Sequence, residues 1–271
     1  MNIRELDQFF TKKETVNICL QTLAKHIDIN NVDWIEPSAG SGAFIDGAVE
    51  FGMGLPKIAF DIMPQHYLVI ESNFLETDVE SLFLENEKIK LFLGNPPFGK
   101  NSSLAIKFFN HMAKSKVDFI AMVLPATFSK NSIKNKLNFN YILIEDLDLG
   151  VSEFDFGKEI RKVPVVFQVW KKSEIKREKI VEKTISSLFD FVSKEEAEFA
   201  IQRVGVAAGK VKLNFRNVSP SSHYFIKENV KGVLDLFLKI DWTEIKNKTA
   251  GNPSIAKTEL IRILEKEYNK I

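Results

Sequence analysis

The chain has 271 residues, enough for one large domain or for one of about 170 residues with a smaller companion. Its 45% hydrophobic and 27% charged residues are ordinary for a globular fold and exclude a disordered or fibrous chain. The net charge of +1 conceals an asymmetry: residues 1–157 hold 14 basic and 21 acidic side chains, net −7, and residues 158–271 hold 23 and 15, net +8.

In chain order, residues 12–27 are expected to form a helix, with Thr11 as N-cap and Val16, Cys19, Leu20 and Leu23 on one face. The single cysteine, Cys19, thus belongs to a core stripe and cannot form an internal disulfide. The polar start Met1-Asn2-Ile3-Arg4-Glu5 has no apolar segment behind it, so no signal peptide is expected. No apolar run approaches the roughly 20 residues that span a bilayer, and the expectation is a cytoplasmic, intracellular protein without a membrane partner. Strands are expected at 32–35, 58–60, 67–70, 90–93, 119–124, 141–149 and 163–170, with helices at 43–51 and 103–113. Apolar strands alternating with helices predict an α/β fold, a mostly parallel seven-stranded sheet covered on both faces. The charged stretch 171–183 reads as a linker. Beyond it, short strands at 199–204, 211–215 and 223–226 and helices at 230–238 and 255–268 suggest a small C-terminal α+β region. The expected division is therefore 1–172 and 184–271.

Ligands of such sheets bind beyond the carboxyl ends of the strands. Glu36, Asp61 and Asn95 all stand at expected strand ends, which aligns three polar groups along one edge. In Glu36-Pro37-Ser38-Ala39-Gly40-Ser41-Gly42 the glycines let backbone approach a ligand closely, as they would in any tight turn. Asp61 follows about 20 residues later, where an acid suits the hydroxyls of a ribose, and Ile62 offers an apolar neighbour for a base.

The run Asn95-Pro96-Pro97-Phe98 suits an exocyclic amine. Such a nitrogen is a poor nucleophile because its lone pair is delocalised into the ring. Two carbonyl acceptors, the Asn95 side chain and the Pro96 backbone, can bond its hydrogens and draw it towards tetrahedral geometry. Pro97 keeps the residue before it extended, and Phe98 offers a ring for stacking, worth about 1–3 kcal/mol. This run alone does not choose among adenine, cytosine and glutamine amides. No metal-ligand cluster is read from the sequence.

Together these segments resemble the amino-methylating DNA methyltransferases of the adenine-N6 type, with a gamma-like motif order, over residues 7–172. The resemblance implies a Rossmann-like methyltransferase fold and S-adenosylmethionine as cofactor. Asp7-Gln8-Phe9-Phe10-Thr11 is similar to the family's N-terminal cofactor segment, although Lys12 stands where proline is usual. By resemblance Phe10 and Thr11 belong to the cofactor site, with Thr11 on the methionine carboxylate. Glu36, Ser38, Gly40 and Gly42 would hold the amino-acid part, Asp61 the ribose, and Ile62, Asn73 and Phe74 the adenine ring. The family usually has Asp where Asn73 stands. Asn95, Pro96, Pro97 and Phe98 would hold the flipped target base, with Phe154 or Phe156 supplying a further aromatic.

The basic second half suggests a polyanion, with Arg203, Lys210, Lys212 and Arg216 as candidate phosphate contacts. The expected partner is DNA, within a restriction-modification setting, with RNA as an alternative. The region is short for a sequence-reading domain, which makes a second copy or a partner subunit an expectation too. Two other readings compete: protein glutamine methylation, whose glycine motif usually begins Asp-x-Gly-x-Gly, and a non-catalytic binding subunit, against which the intact run 95–98 argues.

Overall fold

The computed structural model describes residues 11–83, 85–155, 160–249 and 252–270. The chain divides within the charged stretch into two compact units, Met1–Lys179 and Ile180–Ile271.

The first unit runs α1 (Lys13–Leu23), β1 (Val32–Glu36), α2 (Ala43–Phe51), β2 (Ile58–Asp61), β3 (Ile70–Glu71), β4 (Ile89–Gly94), α3 (Ser103–Met112), β5 (Phe119–Pro125), α4 (Asn131–Lys134), β6 (Tyr141–Asp155) and β7 (Ile160–Lys172). Its seven strands form one sheet in the order β3-β2-β1-β4-β5-β7-β6. The pairs from β3 to β5 are parallel, and β7 enters antiparallel between β5 and β6. This is the expected Rossmann-like architecture, α/β with a mostly parallel seven-stranded sheet.

The central strands are apolar on both faces because both faces are covered. Trp34, Leu91, Leu93, Ala121 and Val123 belong to a core shared with α1 and α2. The alternating residues Ile35, Phe92, Ile120, Met122 and Leu124 belong to a second core with α3. This period of two, with neither phase left to solvent, hides the usual polar alternation of a strand. Buried Gln168 of β7 is satisfied at both ends: its amide donates to Asp146 Oδ1 at 2.8 Å, and its carbonyl accepts from Trp170 Nε1 at 3.0 Å.

Three local expectations change. The α1 N-cap is Lys12, without a side-chain bond, because the Thr11 hydroxyl is engaged elsewhere. The third strand shrinks to Ile70–Glu71, since His66 Nδ1 accepts from Leu68 N–H and turns the chain there. The last hairpin is longer than expected. Pairing of β5 with β7 stops at Pro125 and Val165, whereas β6 and β7 stay paired to Asp155 and Ile160. The hairpin therefore overhangs the carboxyl edge of the sheet by five residues of β7, about 17 Å at roughly 3.3 Å per residue.

The second unit contains β8 (Phe189–Phe191), β9 (Phe199–Gln202), β10 (Val211–Lys212), β11 (His223–Glu228), α5 (Val233–Lys239), α6 (Thr243–Lys246) and α7 (Lys257–Tyr268). Its antiparallel sheet has the order β10-β9-β11-β8. The three-residue β8 went unread because its alternating Phe189-Asp190-Phe191 is too short to stand out. Phe189, Phe199, Ile201 and Ile226 pack with α5 and α7 in a core of their own. Among the described residues no helix is long and apolar enough to cross a membrane.

Candidate functional site

The sheet order places β2, β1 and β4 side by side, so that Asp61, Glu36 and Asn95 stand at three adjacent carboxyl ends. Each is held differently, and the differences define the site.

Asp61 grips the glycine turn. Its Oδ2 accepts from Gly40 N–H at 2.8 Å, and its Oδ1 accepts from Met63 N–H at 2.8 Å. The turn is also tied to β2 by Ala39 N–H donating to the Phe60 carbonyl at 2.8 Å. Ile62, beside Asp61, is 41% exposed, an open apolar surface next to the carboxylate. At the end of the turn Gly42 has φ +80°, and a Cβ there would lie 2.6 Å from two ring carbons of His66. His66 Nε2 in turn faces Asp46 Oδ1 at 3.5 Å. His66 was not singled out from the sequence, because nothing in Pro64-Gln65-His66 marks it as the clamp on a turn 24 residues earlier.

Glu36 is 2% exposed, and its Oε2 has no hydrogen-bond partner among the described residues. Burial, and after it the negative charge of Asp61, push this carboxyl well above the ordinary carboxylate range. A Cβ on Gly94 would stand 3.2 Å from Glu36 Cγ, so the glycine before Asn95 makes room for this side chain. A buried carboxyl oxygen without a donor among the described residues, between the carboxylate of Asp61 and the amide of Asn95, fits a cationic or N–H-bearing ligand group.

Asn95 is buried and held at two atoms. Its Nδ2 donates to Thr11 Oγ1 at 3.1 Å, and its backbone carbonyl accepts from Ser38 Oγ at 3.0 Å. Pro96 is buried and Pro97 half-buried. The Phe98 ring, expected as a stacking surface, is only 5% exposed and lies in the core cluster that includes β1, β4, α1 and α2. Its backbone carbonyl accepts from Leu104 N–H at 3.1 Å and Ala105 N–H at 3.3 Å, which fastens the run 95–98 to the start of α3. Between them Asn101 and Ser102 both adopt positive φ, +54° and +63°, an uncommon pair for residues with a side chain. Ser102 is buried, and its hydroxyl meets that of Thr127 at 2.8 Å.

The remaining expected residues divide. Asn73 caps its own turn, accepting from Leu75 N–H at 3.2 Å and donating to Glu76 Oε1 at 2.6 Å. Phe74 is a core residue: its ring is 1% exposed and packs against Phe60, Phe92, Phe108 and His111. Phe10 and Phe156 lie outside the described residues, as does the side chain of Phe154.

In the second unit the four basic candidates do not share a face. The Arg203 guanidinium lies over the Tyr224 ring at 5.1 Å. Lys212 stands in the cross-strand row with Ala200 and Phe225. Tyr224 and Phe225 are neighbours in a strand, so Arg203 and Lys212 belong to opposite sides of the small sheet. Arg216 lies over Phe215 at 5.4 Å and donates to the Lys194 carbonyl at 3.3 Å, and Lys210 is exposed.

No family model matches the chain, and no curated protein matches it. Solved structures do resemble it. A protein from Pyrococcus horikoshii, proposed to be an RNA methyltransferase, is 17% identical with a TM-score of 0.46, over 64% of this chain and 90% of that one. The modification subunit of a proposed type I restriction enzyme from Vibrio vulnificus is 13% identical with a TM-score of 0.47, over 95% of this chain and 61% of that one. The modification protein of the type I restriction enzyme EcoKI is 12% identical with a TM-score of 0.43, over 97% and 71%.

Proposed function

We propose that this chain is an S-adenosylmethionine-dependent methyltransferase acting on the exocyclic amino group of adenine in DNA. The observation that supports it most is the meeting of Thr11, Ser38 and Asn95 through two hydrogen bonds. Two residues of the segments expected to hold the cofactor thereby bond the residue expected to hold the amine, Thr11 at its side-chain amide and Ser38 at its backbone carbonyl.

The bound cofactor would supply an electrophilic methyl group. The residues here suit its parts: Thr11, Glu36 and Ser38 its amino-acid end, the carboxylate of Asp61 its ribose, and exposed Ile62 its base. The Asn95 side-chain oxygen and the Pro96 carbonyl accept the two hydrogens of adenine N6. This localises the nitrogen lone pair and aims it at the methyl carbon, which is catalysis by alignment and electrostatics. The chemistry that the cofactor would supply is a methyl group whose bond to sulfur gives way to the new N–C bond, the electron pair staying on sulfur. The methylated nitrogen then gives up one hydrogen as a proton to water. The overhanging hairpin would supply a further aromatic to the base, and basic residues of the stretch 158–271, net +8, would contact strand phosphates.

The test is transfer of labelled methyl from S-adenosylmethionine to duplex DNA, single-stranded DNA and RNA, followed by nucleoside analysis. The expected product is N6-methyladenine in DNA, lost in Asn95→Ala while cofactor binding persists. Label found only in RNA, or only in protein, overturns the DNA assignment.

A further inference from the structure

The cations of the second unit fall into two groups by what already holds them. On the Phe225 side of the small sheet, Lys194 Nζ donates to the carbonyls of Arg216 at 3.2 Å and Val218 at 2.8 Å, and Arg216 Nη1 donates back to the Lys194 carbonyl. These donors are engaged within the unit, where they fasten the chain after β10 to the chain after β8. On the Tyr224 side the arrangement is different. The Arg203 guanidinium lies 5.1 Å from the Tyr224 ring centroid, and Lys257 Nζ lies 4.5 Å from that of Phe191 and 5.6 Å from that of Tyr224. The two rings meet edge to face at 5.3 Å. Among the described residues neither cation pairs with a carboxylate or gives a side-chain N–H to a protein acceptor. The buried acid nearby in sequence, Glu259, accepts from Ala256 N–H at 2.8 Å and caps α7.

The cluster is also fixed in place. The Tyr224 hydroxyl donates to the Ile255 carbonyl at 3.3 Å. Arg203 N–H donates to the Ser222 carbonyl at 2.9 Å, and the Arg203 carbonyl accepts from Ile255 N–H at 2.9 Å. An aromatic face attracts a cation electrostatically but does not use up its N–H groups, so both cations keep donors for an oxygen ligand. Two like charges held against one ring repel each other, and an anion seated across them removes that repulsion. The forked guanidinium matches the oxygens of a phosphate, and the ammonium adds a point charge. Basic side chains interleaved with rings are also the combination that tracks a nucleic-acid strand.

We infer that Arg203 and Lys257, seated on Tyr224 and Phe191, are the surface through which the second unit grips the phosphate backbone of DNA. The inference rests on the proposed function for its choice of DNA. It assigns the strand to the Arg203 side of the small sheet and leaves Lys194 and Arg216 to hold the unit together.

The experiment is binding of the full chain, without cofactor, to short labelled DNA duplexes of two unrelated sequences, followed by fluorescence anisotropy across a range of salt concentrations. Each of Arg203→Gln and Lys257→Gln should lower the slope of log affinity against log salt by roughly 0.9, the value for one lost phosphate contact. At about 0.1 M salt each should weaken binding on the order of tenfold, equally for both sequences, because phosphates carry no sequence information. Lys212→Gln removes the same charge from the opposite side and should leave the slope close to the wild type's. Slopes unchanged in both Arg203→Gln and Lys257→Gln, or lowered as much by Lys212→Gln, would overturn the inference. Tyr224→Leu, where its melting curve shows it folded, should bind as weakly as Arg203→Gln, and wild-type affinity there would overturn the part given to the rings. Should that variant not fold, the two exposed-charge substitutions decide alone. The proposed function fails separately: a chain that grips DNA through these residues yet forms no N6-methyladenine overturns the methylation and supports the surface. An RNA duplex bound through them while DNA is not would overturn the choice of DNA.

Discussion

His66 closes over Gly42: a Cβ on the glycine would stand 2.6 Å from the histidine ring, at a backbone φ of +80°. The two residues lie on different loops, one after β1 and one after β2, and their contact shapes the turn at the carboxyl edge of the sheet. Gly42→Ala combines left-handed strain of about 1–2 kcal/mol with a clash. It should lower the melting temperature and weaken S-adenosylmethionine binding by calorimetry. His66→Ala should relieve the clash but not the strain, so the double variant is expected to recover part of the loss. Strictly additive losses would show that the ring does not press on the turn.

Glu36 predicts a pH dependence of stability. Burial and Asp61 raise its folded-state proton affinity above that of the unfolded chain. The native state then holds a proton that the unfolded chain releases from about pH 4.3 upward, and stability falls as pH rises from there towards the raised native value. Glu36→Gln removes this penalty. Its melting temperature should exceed the wild type's at pH 8 and converge with it at pH 4. A difference that is flat with pH would exclude the buried acid as its source.

Asp61 holds two backbone N–H groups, one per carboxylate oxygen. Asp61→Ala leaves both without this acceptor and should cost about 1.5–3 kcal/mol of stability, the range for bonds to a charged group. Cofactor affinity should fall tenfold or more. Asp61→Asn keeps one acceptor oxygen and is expected to fall between the two. Unchanged affinity in Asp61→Ala would remove this residue from the ligand edge.

Ser102 is paired with Thr127 while its backbone sits at φ +63°. Ser102→Ala loses the bond and keeps the strain, and should destabilise by about 1–2 kcal/mol. Ser102→Gly loses the bond but relaxes the strain, so its loss should be smaller. Denaturant titration separates them, and an equal loss in both would mean that the strain is not borne at this residue.

How much of this was legible in the sequence depends on range. The seven strands of the first unit, and the placing of Glu36, Asp61 and Asn95 at strand ends, follow from apolar periodicity and from local breakers such as Glu36-Pro37 and Asn95-Pro96. These are signals that a residue and its near neighbours carry by themselves. Phe98 and Phe74 misled, because an aromatic beside a motif looks the same whether its ring faces a ligand or the core. Only packing decides, and here it buries both. The basic residues of the second half divide for a related reason. Composition counts charges but not faces, and strand register separates Arg203 from Lys212.

What the sequence determined alone was the order of elements and the chemical character of the residues at the sheet's carboxyl edge. What only the tertiary structure decided was who holds whom: Thr11 and Ser38 on Asn95, His66 on Gly42, Thr127 on Ser102. Each of those contacts joins segments that are distant in the chain, and a hydrogen bond or a van der Waals contact depends on positions in space that no local pattern of residues encodes.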